Sequence, residues 1–165
     1  MNVRIRRSMA LAVAPLGASV LLVLVPSAGA ALRADGAPAR VSVAANLTAR
    51  QVVPPPVIAR RPSGFFHGRL QSGRGLIWSF AAFRLSGVPT AAHIHIGLPG
   101  KQGAILLRLC LPQPCRLAME GTVAGIGAQS SLWKQLVAGK AYVDIHTRRN
   151  PRGEIRGQIA GVEFG

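Results

Sequence analysis

Three of the four histidines in this chain fall where their imidazoles can converge. His93-Ile94-His95 sets two of them two residues apart. On an extended strand such residues point to the same face, with α-carbons about 6–7 Å apart. His146, followed by Thr147, lies in a second strand-like segment. A third imidazole on an adjacent strand completes a three-nitrogen, T-shaped or trigonal site suited to copper or zinc. His93, His95 and His146 are therefore candidate metal ligands, with copper as the candidate ion. The competing reading is structural: the same rings hydrogen-bond the glycine-rich segment 97–103 and the turn 148–153, fixing two connections. His67, in Phe65-Phe66-His67, reads as a scaffold or surface residue.

Two of the five acids, Asp144 and Glu154, fall near His146. Either can orient a ligating histidine as an outer acceptor, or simply pair with an arginine, here Arg156 or Arg152. Arg148, Arg149 and Arg152 cluster beside His146. Over a metal they would concentrate small anions such as superoxide; without one they form a solvated turn or a site for acidic polymers. Hydrolytic chemistry is excluded early. The chain has no Gly-x-Ser-x-Gly elbow, no cysteine placed as a nucleophile and no convincing carboxylate pair.

The elements that must position these residues are short and extended. Residues 41–49 alternate apolar and polar side chains, as a half-buried strand does. Residues 52–61 contain Pro54-Pro55-Pro56 and predict a polyproline-like connection. Strands follow over 64–70 and 75–85. In the latter, Leu76, Trp78, Phe80 and Ala82 share one face and Ile77, Ala81 and Phe83 the other, which predicts a strand covered on both sides. Further strands are expected over 91–96, over 104–109 and 117–123 as a hairpin around the cysteine loop, and over 141–146 and 154–162 as a last hairpin. One short helix is expected over 130–136, with Gln129 or Ser130 near its start and Gly139 ending it. Gly97-Leu98-Pro99-Gly100-Lys101-Gln102-Gly103 lacks the spacing and following helix of a phosphate-binding loop. Seven to eight short strands divided by turn signals predict an all-β antiparallel Greek-key sandwich or barrel.

The N-terminus reads as an export signal over residues 1–30. Arg4, Arg6 and Arg7 precede an apolar stretch, and Ser27-Ala28-Gly29-Ala30 supplies small residues for cleavage after Ala30. Arg6-Arg7 leaves twin-arginine export open beside the general route. The competing reading is an uncleaved anchor, for which an apolar stretch of about 17 residues interrupted by Pro15 is marginal. Residues 31–40 read as a flexible leader and residues 41–165 as one domain. Beyond residue 30 the chain carries 17 Arg or Lys against five acids, a net charge of +12. That excess favours anionic partners such as envelope polymers or lipid head groups. Nucleic acid is disfavoured, because aromatics to stack bases are sparse. Cys110 and Cys115 bracket four residues and, in an oxidising compartment, predict a small disulfide loop worth about 2 kcal/mol. Asn46-Leu47-Thr48 is a glycosylation sequon, relevant only in a eukaryotic secretory pathway.

Gln51-Val52-Val53-Pro54-Pro55, the block from Ala92-His93-Ile94-His95 to Gly103, Tyr142-Val143-Asp144-Ile145-His146-Thr147, and Asn150-Pro151-Arg152-Gly153-Glu154-Ile155-Arg156-Gly157-Gln158-Ile159 together resemble the chordin (CHRD) domain. The resemblance covers residues 47–162 in order and spacing. It departs at Val52, where the family usually has Glu, and at Asp144, where it usually has Asn. It implies an extracellular all-β domain without assigning it a reaction. More loosely, a His-x-His strand followed by glycine, with a later apolar-His strand, is similar to the copper-ligand arrangement of copper–zinc superoxide dismutases. On that analogy His93, His95 and His146 would hold copper, with no counterparts for the zinc-loop or bridging histidines. The expectation is a secreted or periplasmic protein acting as a non-catalytic binding or structural module. The alternative is a copper-binding or superoxide-dismuting protein.

Overall fold

Alternation, read strand by strand, builds the sheet. In the computed structural model residues 40–162 are described, apart from residues 59 and 112. The expected export signal and nearly all of the expected leader lie outside the described residues. Arg40, placed at the leader's end by sequence, opens the first strand.

Strand β1 (Arg40–Thr48) buries Val43, Ala45 and Leu47. It pairs along its length with β2 (Ser63–Gln71), which buries Phe66, Gly68 and Leu70, and β2 pairs with β3 (Gly75–Phe83). The chain then crosses to β4 (Pro89–Ile96) and β5 (Ile105–Arg108), and returns to pair β6 (Ala118–Val123) with β3. Helix α1 (Ser131–Val137) precedes β7 (Ala141–Thr147), β8 (Ile155–Gln158) and β9 (Ala160–Val162). Every pairing is antiparallel, and the order is β5-β4-β7-β8-β1-β2-β3-β6, with β9 also on β1. The antiparallel all-β architecture expected from the sequence thus takes the form of one curled sheet.

The inner faces meet in a core of Phe66, Phe80, Leu70, Leu76, Ile94 and Ile145, joined by Ile155 and Ile159. Full burial of each such side chain stabilises the fold by about 1.5–3 kcal/mol. Trp78 lies between Gly68 and Gly121, its register partners on the two neighbouring strands. A Cβ on Gly121 would stand 2.6 Å from the indole, so glycine there makes room for the ring. Helix α1 plugs the core with Trp133 and Leu136. Ser130 caps it by accepting from the Trp133 amide at 3.2 Å, and Gly139, at φ 65°, ends it.

Three expectations change. The segments 104–109 and 117–123 do not form a hairpin: β5 pairs with β4 and β6 with β3, at opposite ends of the strand order, because the cysteine loop carries the chain from one edge of the sheet to the other. The second face of β3 is not covered: Ile77 and Phe83 are 56% and 50% exposed. Alternation places residues on faces, but does not say which faces are covered; none of the described elements covers this one. The single strand expected over 154–162 divides at Ile159, because β8 pairs mainly with β7 while β9 pairs with β1. Among its described residues the connection through Pro54-Pro55-Pro56 contains no strand, as expected, and Cys110 and Cys115 are disulfide-bonded across the β5–β6 connection.

Candidate metal centre

Sheet register brings the histidines together. In the β4–β7 pair, His93 lies opposite Asp144, His95 opposite Tyr142, and Ala91 opposite His146. Period-two alternation sends Ile94, Val143 and Ile145 into the core. It turns His93, His95, Tyr142, Asp144 and His146 together to the other face. A register irregularity in the β4–β5 pairing falls between Ile94 and His95. Such irregularities re-aim side chains beside functional sites.

One donor atom from each of His93, His95, Asp144 and His146 lies within 4.8 Å of the others. Nδ1 of His93 is 3.2 Å from Nε2 of His146. Oδ1 of Asp144 is 2.9 Å from Nε2 of His146, 3.3 Å from Nε2 of His95 and 3.7 Å from Nδ1 of His93. All four side chains are largely enclosed, at 9–15% exposure.

The remaining ring nitrogens fix two tautomers. Nδ1 of His95 lies 2.8 Å from the Gly103 carbonyl and Nδ1 of His146 lies 3.0 Å from the Pro151 carbonyl. A carbonyl only accepts, so both Nδ1 atoms carry hydrogen and donate. In the neutral rings both Nε2 atoms are then bare lone pairs, aimed at a carboxylate. Among the described residues, nothing forms a hydrogen bond with the buried Nε2 of His95. Lone pairs converging on an anion call for a cation between them, either protons or a metal ion. The electrostatics agree. Burial opposes ionisation of Asp144, but the imidazoles of His146, His93 and His95 outweigh it and hold the carboxyl far below its usual range. Burial also opposes protonation of His95, yet the Asp144 carboxylate and the Gly103 carbonyl raise its pKa.

A cleft of about 290 Å³ opens onto this cluster, lined in part by His95, Asp144, His146, Arg152 and Arg156. Tyr142 stacks on His95, ring centroids 4.9 Å apart, and the Arg156 guanidinium lies 3.4 Å above the Tyr142 ring. Arg156 also donates to the Leu98 and Lys101 carbonyls, at 3.1 and 2.8 Å, tying the glycine-rich loop over the site.

The histidines chosen from the sequence are thus brought together, and His95 and His146 also make the carbonyl contacts of the structural reading. Asp144 joins them as a fourth donor. Asp-x-His on a strand carries the same signal as His-x-His, but the facing of Asp144 and His93 is a property of register. Neither Asp144 nor Glu154 forms an ion pair with an arginine among the described residues, contrary to the pairing expected with Arg156 or Arg152. Glu154 is buried and instead accepts from the Ser86 amide and hydroxyl, the Thr147 hydroxyl and the Asn150 amide. Arg152 borders the cleft, while Arg148 and Arg149 are exposed on the turn and do not line it. Tyr142 and Arg156 are parts of the site that sequence reasoning misses; Tyr142, two residues before Asp144, carries the same alternation signal. His67 lies on β2, away from the cluster.

No curated protein and no solved structure matches the chain. Residues 43–159 match the family model of the CHRD domain, and with most of its length covered the chain belongs to the CHRD-domain family.

Proposed function

We propose that this chain is a non-catalytic binding module of the extracellular type, and that its site binds a divalent late transition-metal ion through His93, His95, His146 and Asp144. One observation carries this reading: three imidazole nitrogens and a carboxylate oxygen converge within 4.8 Å, one of the nitrogens buried and unpartnered. Three nitrogens and one oxygen form a donor set for Zn(II) or Cu(II). Copper is the ion to test first, because it heads the affinity order for such donors. The Gly103 and Pro151 carbonyls would act as the outer partners that orient His95 and His146.

Export is part of this reading, supported by the Cys110–Cys115 disulfide, which suits an oxidising compartment, and by the signal-like N-terminus. The enzymatic alternative, copper-dependent superoxide dismutation, draws on Arg152 and Arg156 at the cleft, which would attract a small anion.

The test is elemental analysis and Cu(II) and Zn(II) titration of the domain without a histidine tag, beside His93→Ala/His95→Ala. One tight equivalent, lost in the variant, supports the reading. No metal above background in either, with the variant merely less stable, overturns it in favour of a proton-bound structural cluster. A superoxide assay of the copper-loaded protein then separates binding from catalysis.

A further inference from the structure

Successive strands of the sheet run in opposite directions, so the connections β1–β2, β3–β4, β5–β6 and β7–β8 all emerge at one end. The basic residues are distributed unevenly between the two ends. The β1–β2 connection carries Arg50, Arg60 and Arg61, and the β3–β4 connection carries Arg84. The β5–β6 connection adds Arg116, and the β7–β8 connection adds Arg148, Arg149 and Arg152. All eight are exposed. The connections at the opposite end hold Arg74, Lys101, Lys134 and Lys140. Among the described residues, the only acid in the arginine-rich rim is Glu154, which is 1% exposed and spent on internal hydrogen bonds.

Apolar side chains crowd the same rim. Of eleven large hydrophobic residues left exposed among the described residues, six are in these connections, with Val57, Val88 and Leu111 at 63%, 71% and 68%. The opposite end exposes only Leu98 of this set in its connections. Basic and apolar groups exposed together on one rim match neither a purely solvated surface nor a site for a soluble polyanion, which would have no use for the aliphatic tips.

The rim is also held in place. Asn150 binds the Val57 amide and carbonyl at 2.9 and 3.1 Å, and Glu154 binds Ser86, so three connections are joined through the β7–β8 turn. The disulfide closes the fourth. The arginines and aliphatic tips therefore project from fixed backbone, which lowers the ordering cost of docking.

We infer that this rim docks on an anionic lipid bilayer, with Val57, Ile58 and Val88 entering the interface while the arginines face the head groups. The argument is charge complementarity combined with apolar insertion, the two contributions that add in interfacial binding.

The test is sedimentation with vesicles, using the chain from Leu32 to Gly165, which contains the whole described core. The vesicles are phosphatidylcholine alone, or one part phosphatidylglycerol to two of phosphatidylcholine. Dextran sulfate serves as a soluble polyanion, and circular dichroism checks that each variant folds. The parent is expected to bind only the anionic vesicles. Val57→Ser/Ile58→Ser/Val88→Ser should weaken that binding at least ~10-fold while leaving dextran sulfate binding unchanged. Arg60→Gln/Arg148→Gln/Arg149→Gln should weaken both, and the charge-matched Arg74→Gln/Lys134→Gln/Lys140→Gln should weaken vesicle binding far less. The inference is overturned by no binding to anionic vesicles, by full vesicle binding of the serine variant, which would make the rim a polyanion site, or by equal losses in the two charge-matched variants.

Discussion

Nε2 of His146 faces Oδ1 of Asp144 at 2.9 Å while Nδ1 of the same ring is held by the Pro151 carbonyl. One ring is thereby locked between an acceptor it must donate to and an anion it can approach only with a second proton or with a metal between them. The same arrangement recurs at His95, between the Gly103 carbonyl and Asp144. This doubling distinguishes the cluster from a chance meeting of histidines on a strand.

Asp144→Asn should leave the sheet intact and weaken Cu(II) or Zn(II) binding by at least the ~10–100-fold that loss of an outer partner costs. The measurement is a competition titration against a chelator of known affinity. Unchanged affinity would remove Asp144 from the donor set and leave the three imidazoles.

Metal affinity should fall with acidity, since ligating imidazoles must be neutral. The pKa of His95 is raised, so protons compete at this ring from above the ordinary value of about 6.5. Titrations between about pH 8 and pH 5 should show progressive weakening that begins on the alkaline side of that value. An affinity flat across the range would sink the histidine-ligand reading.

Glu154 should make the fold acid-sensitive. Burial opposes its ionisation, but hydrogen bonds from Ser86, Thr147 and Asn150 outweigh it and lower the pKa. A lowered pKa means that the stabilisation is complete above the unfolded value of about 4.3 and is lost as pH falls through the folded value. Glu154→Gln should cost about 1–3 kcal/mol at neutral pH by leaving buried donors poorly paired. It should also flatten the acid limb of melting temperature against pH. An equally steep limb in the variant would place the sensitivity elsewhere.

Gly121→Ala should destabilise the domain by about 1–3 kcal/mol, because the new methyl group meets the Trp78 ring at 2.6 Å. Urea unfolding followed by tryptophan fluorescence reads this directly. A neutral result would show that the indole has room to shift.

Much of this architecture was legible in the chain. Leu76, Trp78, Phe80 and Ala82 fall on the buried face that their spacing predicts, and Ser130 and Gly139 delimit the helix. What was not legible depends on neighbours distant in sequence. Ile77 and Phe83 look like core by composition, yet none of the described elements packs against their face. Asp144 reads from sequence as either an acceptor for a histidine or an arginine partner; its facing of His93, which decides between them, comes from pairing between strands some fifty residues apart. The stack of Arg156 on Tyr142 on His95 crosses three strands, and no local pattern encodes it.

The division of the last strand at Ile159 bears on the order in which the molecule folds. β8 and β9 join β7 to β1: Thr48 pairs with Arg156 and Ser42 with Val162, partners more than one hundred residues apart. Without them the strand order falls into two separate pieces, β5-β4-β7 and β1-β2-β3-β6. Closure over so long a separation is slow, because loop entropy is lost before the contacts that compensate it form. A nascent chain from which β8 and β9 have not emerged cannot complete its sheet, so the two pieces can be joined only after nearly the whole domain has been made.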